Sequence, residues 1–365
     1  MKKHARLMIV AALVLGAFTS LATRAQELTP ISLQLQWVAQ SQFAGYFAAK
    51  DLGFYEEEGL DVTILEGAVE IVPQQVVASG GAQFGVAWVP KVLESTEKGE
   101  GSVNLVNIAQ IFQRSGTLMV SFVDSGIESV ADFDGRNVGS WGFGNEHELY
   151  AAMRAEGLDM AGVIGQNFDM SALLSGELDA AQAMIYNEYA QVLEAVNPAT
   201  GELYTPDDLN VINFNDVGTA MLQDHVFANA EWLAEEGSEE IAVKFLKATF
   251  RGWAYCRDNF DECVEIVLDN GSTLGASHQA WQLNEINQLI WPSPDGIGIM
   301  SEEAWEQTVA VAVESAIITT EPMEGAYRSD LAQAALDALM ADMADADLMG
   351  EEFEPVEVVL NEGGE

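Results

Sequence analysis

Four large aromatic residues, Trp37, Trp88, Trp141 and Tyr186, each fall where a strand-like run gives way to a turn or helix. An indole or phenol so placed can wall a site for a flat heteroaromatic ligand, which also needs a few aimed polar groups. The alternative at each position is a core aromatic that caps its sheet. Trp141 leads into the turn Gly142-Phe143-Gly144-Asn145, and a helix pattern follows. Backbone N–H groups in such a turn, at Gly144 and Asn145, can receive a formyl, carbonyl or phosphate oxygen. A plain tight turn gives the same pattern. Tyr186-Asn187-Glu188 opens another helix. Tyr186 can stack on a ring, and Glu188 can accept from an exocyclic amine and a ring N–H. A first-turn glutamate is equally favoured by the helix dipole alone. Of the amides Gln36, Gln40 and Gln42 after the first strand, Gln42 is assigned to the ligand and the others to solvent.

The elements that must carry these side chains alternate. Residues 31–37, 60–65, 84–88, 104–112, 118–122 and 137–141 read as strands, and strand signals return at 209–214 and 220–227. Helix patterns separate many of them, at 43–52 (stopped by Gly53), 72–79 and 146–156, and the chain from 230 to 340 is mainly helical. This rhythm predicts an α/β fold, with sheets flanked by helices. One internal echo stands out. Ser79-Gly80-Gly81-Ala82-Gln83-Phe84-Gly85-Val86-Ala87 parallels Ser175-Gly176-Glu177-Leu178-Asp179-Ala180-Ala181-Gln182-Ala183, and each leads into an aromatic segment. If the echo is structural, Trp88 and Tyr186 face each other across one cleft, beyond the carboxyl ends of strands.

Catalytic constellations are missing from the sequence. His4, His147, His225 and His278 lack ligand-like spacing, and no P-loop, nucleophile elbow or Cys–His pair occurs. Met160, Met170, Met184 and Met221 read as core filling rather than copper ligands. No cofactor or metal is expected. The formal charge of −43 argues against non-specific nucleic-acid binding and fits a strongly hydrated acidic surface. Residues 1–25 read as a secretory signal, with Lys2, Lys3 and Arg6 ahead of a short apolar run and Thr23-Arg24-Ala25 at the expected cleavage site. Its removal leaves eleven cations against 58 carboxylates, a net −47. The apolar run is shorter than the ~20 residues a bilayer span needs. No cysteine lies near the cleavage site to take a lipid, so a free periplasmic protein is expected. Cys256 and Cys263 are seven apart and can form one local bridge or remain two free thiols. The acidic, Gly-tipped segment 343–365 reads as a frayed tail.

Several stretches together resemble importer-linked solute-binding proteins of the group related to the fungal thiamine pyrimidine synthases. They include Leu35-Gln36-Trp37, Gln42-Phe43-Ala44-Gly45-Tyr46, Gly53-Phe54-Tyr55-Glu56-Glu57-Glu58-Gly59-Leu60-Asp61-Val62, Trp141-Gly142-Phe143-Gly144-Asn145-Glu146, Met184-Ile185-Tyr186-Asn187-Glu188-Tyr189 and Ile290-Trp291-Pro292-Ser293-Pro294. The resemblance covers roughly residues 30–335. It implies a two-lobed periplasmic-binding-protein fold (type II), each lobe a mixed sheet flanked by helices, with two hinge crossings. The first lobe would comprise 26–117 and 220–342, the second 118–219. Arg114, at the predicted hinge, would pin the crossing through carbonyls rather than bind an anion. The resemblance further implies a monomer that delivers a thiamine precursor such as formylaminopyrimidine, or riboflavin, to an ABC permease and its ATPase. Fungal members are instead synthases, which consume an active-site histidine and bound pyridoxal phosphate with iron. Here Ala87 and Lys91 stand at the positions of the fungal lysine and histidine, and residues 216–223 lack the cysteine-rich segment. Synthase chemistry is therefore disfavoured.

Overall fold

The computed structural model describes residues 28–97, 103–271 and 274–365; the signal segment lies outside the described residues. Among the described residues ten strands form two sheets. In the first, β1 (Thr29–Gln34), β2 (Leu60–Leu65), β3 (Phe84–Trp88), β4 (Leu105–Gln110) and β10 (Asp224–Asn229) take the order β2-β1-β3-β10-β4. In the second, β5 (Thr117–Phe122), β6 (Val138–Ser140), β7 (Ile164–Gly165), β8 (Ala180–Met184) and β9 (Leu209–Asn213) take the order β7-β6-β8-β5-β9. The two sheets share one topology. β1 runs parallel to β2 and β3 while β10 is antiparallel to β3 and β4; β6 runs parallel to β7 and β8 while β5 is antiparallel to β8 and β9. The echoed segments occupy matching central positions, β3 and β8. Gly80 and Gly176 make the left-handed turns before them, with φ of 79° and 76°.

Two crossings join the sheets, between β4 and β5 and between β9 and β10. They are tied to each other: Gly116 N donates to Gln223 Oε1 (2.8 Å), Gln223 Nε2 to Thr117 Oγ1 (2.6 Å) and Asn215 Nδ2 to Ser115 O (2.8 Å). Buried Glu148 accepts from both, from Ser115 Oγ at 2.9 Å and Met221 N at 2.6 Å. The strand expected over 220–227 begins only at Asp224, because the backbone before it bonds outside the sheet, Met221 N to Glu148 Oε1 and Leu222 N to Thr308 Oγ1 (2.9 Å). Arg114 caps the end of helix Ala276–Ile290, donating to Gln288 O (3.1 Å), Trp291 O (3.3 Å) and Pro292 O (3.1 Å).

Helix Ser238–Asp258 packs hard against helix Ala44–Asp51 on the first sheet. A Cβ at Gly252 would stand 2.1 Å from Gly45 O, so only glycine permits this approach. Phe84 stacks on Phe245 with centroids 4.2 Å apart. Cys256 and Cys263 form a disulfide between this long helix and the next, Phe260–Asn270.

The expected frayed tail is instead fixed along helix Ala276–Ile290. Leu348 is buried, Val356 N donates to Asn284 Oδ1 (2.9 Å), Asn361 N to Ser277 Oγ (3.2 Å), and Gly363 N reaches Glu194 O of the second sheet's flank at 3.1 Å. Apolar contacts of Leu348 and Leu360 overcome the repulsion that the acidic composition suggests. Deleting residues 344–365 should therefore lower the melting temperature by several degrees in a circular-dichroism melt. An unchanged midpoint would show that the strap adds no stability.

Candidate functional site

The carboxyl ends of β1, β3, β6 and β8 converge on a cleft between the sheets, where open α/β folds place ligands. Its cavity of about 290 Å³ is walled by Trp37 and Trp88 from one side and Trp141, Phe168 and Tyr186 from the other. Of the residues singled out in the sequence, Trp37, Gln42, Trp88, Trp141, Asn145, Tyr186 and Glu188 line it. Gly144 does not. It belongs to a run of three left-handed residues, Gly142, Phe143 and Gly144 (φ 70°, 58° and 80°), that holds Phe143 out at the cavity rim, 72% exposed.

Trp37 is half-buried and meets Phe168 across the cleft, centroids 4.7 Å apart; Phe168 in turn stacks on Trp141 at 6.0 Å with planes 6° apart. This aromatic ladder spans both sides. Tyr186 is buried and edge-on to Phe112, at 6.3 Å. Glu188, the first residue of helix Glu188–Leu193, is buried. Its Oε2 accepts from Met184 N at 2.9 Å and its Oε1 from Asn187 Nδ2 at 2.7 Å, so it organises the loop between β8 and its helix while facing the cavity. Burial raises its pKa, against these hydrogen bonds. Asn145 has its amide committed at both ends: Nδ2 donates to Gly142 O (2.8 Å), and Oδ1 accepts from Lys91 Nζ (2.7 Å). Its backbone N–H closes the turn onto Gly142 O at 3.0 Å.

Three contributors escaped sequence reasoning as site residues. Lys91, three residues past Trp88, sits 5.1 Å from that indole's centroid and latches across the cleft to Asn145. Desolvation pulls its pKa down to about 8 against the pull of Glu146, Asp224 and Glu94. Its position at the head of the helix after β3 was the available signal. Phe168 lies in an irregular stretch after β7, where no periodicity marks it. Asp224, buried at the start of β10, accepts from Gln36 Nε2 at 2.6 Å and Gln42 Nε2 at 2.9 Å, and burial pushes its carboxyl up to about 7. Gln36, assigned to solvent from sequence, lines the cavity, as does Gln40.

Among the described residues no group of three or more metal-ligating side chains occurs, and no helix is long and apolar enough to cross a membrane. Residues 214–223 are the second hinge crossing, and Ala87 offers no amine to a carbonyl cofactor. The fungal synthase's lysine position is thus Ala87 and its cysteine segment is missing from residues 216–223, while Lys91, at the histidine position, does bring an amine to the cavity.

Two topologically matched mixed sheets, two crossings and an aromatic cleft between them define the two-lobed periplasmic-binding-protein fold. The periplasmic sulfonate-binding protein SsuA of Methylobacillus flagellatus KT, a putative sulfonate ABC transporter component, has this fold. It superposes with a TM-score of 0.60 at 16% identity, over 92% of this chain and 99% of its own. The NMT1/THI5-like family profile matches residues 40–263, and the chain belongs to that family. The chain is 24% identical to the formylaminopyrimidine-binding protein of Halalkalibacterium halodurans over 80% of this chain and 87% of that protein. It is 25% identical to the riboflavin-binding protein RibY of Chloroflexus aurantiacus, over 77% and 79%. It is also 25% identical to a protein of Legionella pneumophila named 4-amino-5-hydroxymethyl-2-methylpyrimidine phosphate synthase, over 65% and 72%.

Proposed function

We propose that this protein is the extracytoplasmic binding component of an ABC importer and that it closes around a small heteroaromatic vitamin precursor, formylaminopyrimidine or a close analogue. The aromatic walls contributed from both sheets to one small cavity carry this reading. A flat ring between them loses apolar contact with water on both faces only when the lobes are closed, which is how ligand affinity selects the closed state. At about 290 Å³ the cavity lies at the lower end of small-molecule sites, which favours a single-ring ligand over a flavin. The named ligand of the Halalkalibacterium relative supports the same choice. The disulfide and the leader-like residues 1–25 support export to the periplasm, with a permease and its ATPase in the inner membrane as partners and the chain acting as a monomer.

Calorimetry with formylaminopyrimidine and with riboflavin tests the assignment. Tight binding of the first alone is expected. Preference for riboflavin would transfer the site to the flavin, and pyrimidine product formed with pyridoxal phosphate and iron would replace transport by synthesis. Glu188→Gln refines the test. Each carboxylate oxygen of Glu188 has one partner in the chain and capacity for another, from a ligand amine or ring N–H. Charge-assisted hydrogen bonds of this kind contribute roughly 1.5–3 kcal/mol, so formylaminopyrimidine binding should fall about tenfold to a hundredfold. The amide also disturbs the Met184–Asn187 loop, so the melting temperature should drop as well. Lower stability with unchanged affinity would confine Glu188 to loop support.

A further inference from the structure

From behind the cavity wall and through it, four polar side chains form a chain with one direction. Gln282 Nε2 donates to Gln40 Oε1 (3.3 Å), Gln40 Nε2 to Gln42 Oε1 (2.7 Å), and Gln42 Nε2 to Asp224 Oδ2 (2.9 Å). Gln36 Nε2 arrives independently at Asp224 Oδ1, at 2.6 Å. An ionised carboxylate only accepts, so it fixes the orientation of Gln42, which fixes that of Gln40. The indole of Trp88 lies close enough to this carboxylate to lower its pKa, short of an aligned hydrogen bond. The backbone of the same residue serves the hinge: Asp224 O accepts from Ile111 N at 3.2 Å, Phe112 N at 3.0 Å and Gln110 Nε2 at 3.3 Å, all at the entry to the first crossing.

We propose that Asp224 is the positioning residue of the binding cleft: its carboxylate aims Gln36 and Gln42 at the cavity while its carbonyl fastens that wall to the hinge. The reading rests on the cleft being the ligand site. Asp224 touches no ligand itself; it acts through the amides that line the cavity. Neutralising it removes one acceptor. Gln42 cannot flip to compensate without turning its donor toward the Gln40 donor, because Gln40 already donates to it.

The groups that face Asp224 are Lys91 on helix Val89–Thr96, Tyr46 on helix Ala44–Asp51 and Tyr186 after β8. His225 follows it in the strand, and successive strand residues point to opposite faces. Protonation of Asp224 near pH 7 should therefore be visible at both glutamines.

Side-chain amide NMR of the ligand-free protein tests the positioning directly. The Gln36 and Gln42 signals should shift together with a midpoint near pH 7 and lose that step in Asp224→Asn. Signals indifferent to pH and to the substitution would overturn the proposal. A mutant cycle on formylaminopyrimidine affinity supplies the second readout. Asp224→Asn and Gln42→Ala should each weaken binding about tenfold, and the double variant should be little worse than either, since both break one linkage. A hundredfold additive loss would also overturn it. If the parent binds neither formylaminopyrimidine nor riboflavin, the ligand reading fails, and the NMR signals still decide the role of Asp224.

Discussion

Trp37→Ala is expected to weaken formylaminopyrimidine binding about tenfold or more while hardly moving the melting temperature. Aromatic stacking contributes roughly 0.5–1.5 kcal/mol beyond area burial, and the lost indole area adds to it. Trp37 is half-buried and projects beyond β1 into the cleft, so its removal leaves the sheet intact. The same change at Trp88 has a second consequence. Trp88 is only 7% exposed and its backbone pairs with Asp224 in the sheet, so Trp88→Ala opens a core cavity at a cost of about 3–5 kcal/mol. Calorimetry and thermal melts on both variants separate the effects. Unchanged affinity in Trp37→Ala would remove the aromatic wall from the binding account.

Stability should fall, not rise, as pH climbs from 5 to 8. Asp224, Glu148 and Glu285 are buried, and desolvation raises each carboxyl to about 7 in the folded chain. Below the ordinary carboxyl range both states hold these protons. Above it the unfolded chain releases them while the native chain keeps them until about pH 7, so unfolding is progressively favoured across that window. Each tenfold gain in a carboxyl's proton affinity on folding corresponds to about 1.4 kcal/mol, and three groups together reach several kcal/mol. Repulsion within a chain of net charge −43 acts in the same direction. Exposed carboxylates with lowered pKa, such as Asp132 and Asp208, act only below this window, whereas buried His225, whose imidazole burial lowers to about 4, opposes the trend up to the ordinary imidazole range as one group against three. Scanning calorimetry should give a higher melting temperature at pH 5.5 than at pH 8. Molar salt should narrow the gap by screening the surface without closing it. A higher midpoint at pH 8 would show that the three carboxyls ionise freely in the native chain.

Most strands were legible because each writes its own local pattern; the two-residue edge strand β7 is too short to write one. β3 and β8 are continuous buried runs each preceded by a glycine turn, and the echo between them survives as matched central strands. The aromatic wall was legible for the same reason, since a Trp or Tyr just past a strand is a statement about sequence position. Phe168 and Asp224 carry no such mark. Phe168 reaches Trp37 only because the crossings bring the sheets face to face, and Asp224 meets Gln36 and Gln42 across more than 180 residues of chain. Composition misled at the tail, where a few apolar side chains among many acids decide the outcome.

That strap also settles where an instrument can be attached. Gly364, with φ of 82°, is wedged between His278 and Glu194, whose side chains pair at 2.7 Å at the junction of the two lobes. Anything appended after Glu365 therefore emerges at a contact between the lobes, beside the start of helix Ala276–Ile290 and at the opposite end from the one Arg114 caps. A bulky tag there would crowd that contact. A distance reporter belongs instead at the cavity rim, one label at exposed Phe143 and its mate at exposed Val69 or Val72, on opposite sides of the cleft.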